Sequence, residues 1–201
     1  MVLSKDEIIK LEILNSAQEL FHKYGLKKTT MEDIAKHISK GKSTLYYYFS
    51  SKEDIFDAVI QKESDELFTE TKAAIDAADS AIDKLKIYCV TKVKKLHSLS
   101  NLSNRVKLEM LEIVKNSSCK AVMRDFEKRE KEVIVDILNY GISTGEFNVK
   151  IKNSVDVVAL MIFSILRGFL FDTHSYHIKM NKVEECICEV IDFLLNGIKK
   201  C

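Results

Sequence analysis

Seven consecutive residues, Lys42-Ser43-Thr44-Leu45-Tyr46-Tyr47-Tyr48, bring together one amine, two aliphatic hydroxyls and three phenols. An amine pairs with phosphate, and hydroxyls and phenols exchange hydrogen bonds with phosphate oxygens and with the edges of bases. Leu45 and Phe49, four apart, can anchor one side of a short helix to a core, which leaves Lys42, Ser43, Thr44, Tyr46 and Tyr47 on the other side. Three successive tyrosines on a two-turn helix cannot all be buried, so something must gain from aromatic hydroxyls left in water. The chemistry offered is non-covalent recognition. A helix with its side chains fills the major groove of a duplex, and hydroxyls and amines in its first turn can reach base edges. The helix dipole adds an attraction for phosphate. Gly41-Lys42-Ser43 also mimics part of a nucleotide-binding loop. That loop needs a second glycine five residues earlier, where Lys36 stands, and a strand before it, where a helix is expected.

The elements that must position this segment are legible upstream. Ile9, Ile13, Ala17, Leu20, Phe21 and Tyr24 recur on one face of a helix, and Gly25 suits the position that closes it. Thr29 precedes Glu32 by three, the pattern of a capping box. Met31, Ile34, Ala35 and Ile38 then form a second apolar stripe of about two turns, too short to be stable unless docked. After the break at Ser39-Lys40-Gly41 the Lys42–Tyr48 helix begins. Two helices joined by a short glycine-containing turn, the second polar on its outer face, make a helix-turn-helix.

Charge agrees with this placement. The 201 residues carry a formal net charge of only +1, yet Lys23, Lys27, Lys28, Lys36, Lys40, Lys42 and Lys52 face only Glu32 and Asp33 in the Lys23–Lys52 span, a local net of +5. From residue 53 onward the balance is −2.

The run Thr30-x-x-x-Ile34-Ala35, nine residues, then Leu45-Tyr46-Tyr47-Tyr48-Phe49-x-Ser51-Lys52-Glu53-x-x-Phe56 resembles the DNA-binding domain of the TetR family of bacterial transcriptional regulators. Residues 7–67 carry the likeness. It implies that Lys42, Ser43, Thr44 and Tyr47 face the major groove, and that Thr29 or Thr30, Tyr46, Tyr48 and Lys52 hold phosphates beside the turn residue Gly41. One departure stands out: members of the family usually carry Gly-Val-Ser where this chain has Ser39-Lys40-Gly41.

The rest of the chain reads as helical. There is no proline and only six glycines, so turns are few and elements long. Ser51 starts a helix expected to reach about Ala78, and further helical patterns cover Ala81–Ser98, Asn104–Lys115 and Ser118–Thr144, the last closed by Gly145. Ser154 to Thr173 is apolar on two faces: Val155, Val158, Ala159, Ile162, Leu166, Phe169 and Leu170, then Val157, Leu160, Met161, Ile165, Gly168 and Phe171. Such a helix must be covered twice, once by its own domain and once by a partner chain. With the final stripe of Val183, Ile187, Val190, Ile191, Leu194 and Ile198 it predicts a homodimer through a four-helix interface.

The fold class expected is all-α: a helix-turn-helix domain over 7–67 joined by a continuous helix to a helical effector-binding and dimerisation domain over 68–201. The resemblance implies a transcriptional repressor, not an enzyme, that binds a double-stranded DNA operator and is released by a small-molecule effector. Control by a protein partner or by thiol oxidation is the alternative, and a nucleotide-binding enzyme the remaining one. Effector-pocket candidates are Tyr88, Met110, Met123, Phe126, Phe163, Phe169 and Arg167, the last able to hold an anion, pair with Asp156 or reach solvent. No cofactor or metal is expected: Cys186-x-Cys188 lacks knuckle spacing, its side chains would point about 200° apart on a helix, and His174 and His177 lack the i, i+4 spacing of a helical site. The charged start of the chain and the ten-residue limit of its apolar stretch, Val157 to Leu166, point to a cytoplasmic protein without a membrane span.

Overall fold

A computed structural model describes residues 4–98, 119–176 and 180–198. Among them, eight α-helices follow one another: α1 (Lys5–Tyr24), α2 (Met31–His37), α3 (Lys42–Tyr48), α4 (Lys52–Asp76), α5 (Ala81–Ser98), α6 (Cys119–Thr144), α7 (Val155–Tyr176) and α8 (Met180–Ile198), with a 3-10 turn over Val149–Ser154 ahead of α7. No strand occurs among the described residues. The all-α expectation is correct. The helix expected over Asn104–Lys115 lies outside the described residues. The described chain falls into two compact units, one built mainly on residues up to Asp65 and the other on those from Glu66 to α5 and from Asp125 onward.

In the first unit, α1 supplies Ile13, Ala17 and Phe21, α2 supplies Met31, Ile34 and Ala35, and α4 supplies Ile55, Phe56 and Val59 to one apolar core. Phe21 meets Phe56 edge to face with ring centres 5.5 Å apart. Leu45 is fully buried in this core and Phe49 packs at its margin. Helix α3 therefore hangs on the two apolar residues that its spacing selects. Burying a leucine contributes about 1.5–3 kcal/mol, and the Tyr48 ring, packed against the same core, adds to it.

Both ends of α1 are closed. Ser4 and Glu7 form a reciprocal capping box at its start, and Gly25 at φ +82° sends its N–H to the Phe21 carbonyl. At α2 the capping box lies one residue later than the sequence suggests. Thr30, not Thr29, is the cap: its hydroxyl accepts from the Asp33 N–H at 3.1 Å, while the Asp33 carboxylate accepts from the Thr30 N–H at 2.9 Å. Aspartate reaches back as well as glutamate does, so Thr29-x-x-Glu32 and Thr30-x-x-Asp33 compete, and burial decides. Thr29 is only 2% exposed.

The second unit is a separate core of α5, α6, α7 and α8, with Leu85, Cys89, Ile134, Leu138, Ala159 and Ile187 among its buried residues. Gly145 at φ +78° ends α6. The chain then returns so that Glu146 caps α5, accepting from the Ala81 N–H at 2.9 Å. Phe147 packs where Gly141 has no side chain: a Cβ there would lie 2.2 Å from the Phe147 ring. Helix α7 extends past the expected Thr173 to Tyr176 and carries His174.

Candidate nucleic-acid interface

The turn before α3 achieves its bend without glycine. Ser39 takes φ +54°, the left-handed position that the resemblance would give to glycine, whereas Gly41 is extended at φ −72° and serves as the N-cap of α3. The left-handed conformation thus falls at position 39, and a serine bears its strain. Gly41 has no side chain to cap α3, which starts from the Thr44 N–H to Gly41 carbonyl bond at 3.0 Å. Lys40 is drawn to α1, its Nζ 3.7 Å from Glu12.

Beyond the turn, α3 presents its polar side to solvent. Tyr47 is 76% exposed and Tyr46 is 49% exposed, while Lys42, Ser43 and Leu45 divide as outer, outer and inner residues. Thr44 is partly exposed beside them. The Lys42 ammonium donates to Glu32 Oε1 on α2 at 2.7 Å, which raises its pKa. Tyr48 is half-buried; its ring meets that of Tyr47 edge to face, centres 4.8 Å apart, and its hydroxyl donates to Asp6 Oδ1 at 2.7 Å. That bond, with the Asp6 charge behind it, holds the phenol protonated and pushes its pKa up to about 12.

Two residues expected at phosphates are otherwise engaged. Thr29 is buried, and its hydroxyl donates to the Gly25 carbonyl at 2.8 Å, so it is removed from the surface that could meet a duplex. Lys52 is the first residue of α4 and donates to the Leu26 carbonyl at 2.7 Å, tying α4 to the loop after α1. Thr30 stays exposed, with its hydroxyl given to the α2 cap. The structure therefore gathers Lys42, Ser43, Thr44, Tyr46 and Tyr47 on one outward face and places Thr29 elsewhere.

In the second unit a buried polar cluster appears where the pocket candidates were expected. The Tyr88 hydroxyl donates to Glu130 Oε2 at 2.7 Å, and the Lys92 ammonium donates to Glu130 Oε1 at 2.5 Å and lies 5.0 Å from the centre of the Phe126 ring. Burial pushes the Lys92 pKa down against the pull of Glu130, and burial beside that carboxylate pushes the Tyr88 phenol up. Phe163 packs at the edge of the same core. Arg167 is paired, though not with Asp156: its Nη1 donates to Glu127 Oε1 at 2.6 Å, because α6 lies nearer to its long side chain than a residue three turns back does. Met110 and the side chains of Met123 and Phe169 lie outside the described residues. Lys92 and Glu130 escaped sequence reasoning, although Leu85, Tyr88, Lys92 and Phe126, Glu130, Ile134 each follow helical spacing along an apolar stripe.

Residues 13–59 match the model of bacterial regulatory proteins of the tetR family, and residues 70–200 match that of the QacR-like protein C-terminal region. The chain belongs to the TetR family. It is similar to the transcriptional regulator QacR of Staphylococcus aureus, 26% identical over 96% of this chain and 99% of QacR. A solved transcriptional regulator from Cytophaga hutchinsonii is 30% identical with a TM-score of 0.76, covering 95% of this chain and 99% of its own. The regulator FadR of Bacillus subtilis, solved in complex with stearoyl-CoA, shares the fold at 20% identity, TM-score 0.72, over 90% of this chain and 96% of FadR. As a TetR-family member the chain is a DNA-binding transcriptional regulator and not an enzyme. No helix among its described residues is long and apolar enough to cross a membrane.

Proposed function

We propose that this TetR-family regulator is a cytoplasmic repressor that reads its operator with the outward face of α3 and leaves it when a small molecule binds the helical domain. The division runs at 7–67 and 68–201. The observation that carries the reading is the exposure of Tyr46 and Tyr47 beside Lys42, Ser43 and Thr44, a wall of donors with no role in the core. Lys42, Ser43, Thr44 and Tyr47 meet base edges, and Tyr46 offers its hydroxyl to the backbone.

The active form is a homodimer, because one two-turn helix binds weakly and two copies engage half-sites spaced by a helical turn or its multiples. Support comes from the apolar face that the single chain leaves uncovered: Val157, Leu160, Met161 and Ile165 on α7 and Val190 and Phe193 on α8 are exposed, Phe193 by 79%. Phe193 was not on the predicted stripe and extends it. The effector meets the neighbourhood of Tyr88, Phe126, Phe163 and Arg167, with Lys92 and Glu130 as its polar contacts. It shifts operator affinity by as much as its preference between the two states allows.

The test is a binding titration on a duplex enriched from a random-sequence pool by the wild-type protein. Lys42→Ala and Thr44→Ala each change the ranking of operator variants. Uniform weakening across the operator variants by both substitutions contradicts base reading by α3.

A further inference from the structure

Lys42 begins α3 and Glu32 lies in the first turn of α2, yet their side chains meet at 2.7 Å with both partly in solvent, 47% and 72% exposed. A pair this exposed is weak and readily exchanged. Its importance lies in what the lysine would otherwise do. A lysine is a point charge on a flexible four-carbon stem with no fixed fork of donors, so by itself it settles on whichever phosphate is nearest, whatever the sequence. Two other amines near the turn are also held, Lys40 toward Glu12 and Lys52 on the Leu26 carbonyl, but neither stands at the start of the reading helix.

We infer that Glu32 is a specificity-determining positioning residue: it holds the Lys42 ammonium at the leading end of α3, away from the DNA backbone, so that the amine is spent on a base edge. The inference rests on the reading of α3 as the DNA-contacting helix. On unrelated DNA, Lys42 reaches a phosphate only by leaving Glu32, and a bare carboxylate then faces the backbone. On the operator the pair stays intact. An ammonium has three donors; one remains on Glu32 and another is offered to an acceptor on a base, of which guanine O6 and N7 are the commonest lysine targets.

The experiment compares wild type, Glu32→Gln, Lys42→Ala and the double variant, as full-length proteins, on the pool-enriched duplex and on an unrelated duplex of equal length across a salt series. Glu32→Gln is expected to bind the unrelated duplex about two- to fivefold tighter, with a salt slope steeper by up to about 0.9. Its affinity for the enriched duplex does not rise, so the ratio between the two falls. In the Lys42→Ala background the same change leaves that ratio unaltered. Equal tightening on both duplexes overturns the inference, as does a gain that persists without Lys42, since either makes Glu32 a diffuse charge and nothing more. If Lys42→Ala alone changes neither affinity nor slope on either duplex, the contact of α3 with DNA at this position fails first and the role of Glu32 falls with it.

Discussion

Ser39 is the residue whose backbone disagrees with its type. At φ +54° an L-residue crowds its own Cβ against the carbonyl, which costs roughly 1 kcal/mol relative to glycine. Ser39→Gly should therefore raise the unfolding free energy by about 0.5–1 kcal/mol in a urea titration, with DNA affinity unchanged; destabilisation would mean the serine side chain contributes more than the strain removes. Glycine is absent from position 39 of the sequence, so this geometry was legible only through the likeness to Gly-Val-Ser turns. Thr29 and Thr30 show the same limit. Both had a carboxylate three residues on, and only packing of Thr29 beneath the loop at Gly25 chose between them. Tyr46 and Tyr47, by contrast, were readable as surface residues from Leu45 and Phe49 alone, because a short helix can bury one side only.

At the scale of elements, the capping boxes of α1 and α2 link folding to acid. The backbone and hydroxyl of Ser4 hold the Glu7 carboxyl below its ordinary range, and the hydroxyl and backbone of Thr30 do the same for Asp33. Groups whose folded pKa is depressed stabilise above the ordinary carboxylate range and lose that stabilisation as pH falls through it. Urea midpoints are expected to drop as pH falls from about 5 through the depressed pKa values of Glu7 and Asp33, and the drop should be smaller in Asp33→Asn; an identical profile would separate the caps from acid stability. Helices α5 and α6 carry the opposite hazard, a charged pair in a core. Lys92→Met leaves Glu130 buried with only Tyr88 to satisfy it and should cost about 3–5 kcal/mol, whereas replacing both with methionine recovers most of the loss. Equal destabilisation in single and double variants would show that the pair is not the source of the penalty. Helix boundaries here were largely visible in advance, from Gly25, Ser51, Ala81 and Gly145, since each end has a local chemical cause. The pairing of Lys92 with Glu130 was not, because the run Glu127-Lys128-Arg129-Glu130-Lys131-Glu132 reads as a solvated face until packing turns one of its members inward.

For the whole molecule, a TetR-family regulator gains affinity and selectivity by presenting two reading helices to one duplex, and the exposed stripe on α7 and α8 is the surface suited to join two copies. The exposed face of α7 is the second of the two apolar faces that its sequence pattern shows. The width of α8's contribution did not follow, because Phe193 stands beside the stripe defined by Ile187 and Ile191. Hydroxyl-radical footprinting of the pool-enriched duplex tests the account most directly, with wild type and Met161→Lys compared at equal concentration. Wild type is expected to protect two symmetry-related patches whose centres lie about 34 Å, or a multiple of it, apart along one face, and the lysine variant to lose the paired pattern. A single unsymmetrical patch with wild type, or the same paired pattern with Met161→Lys, would contradict it.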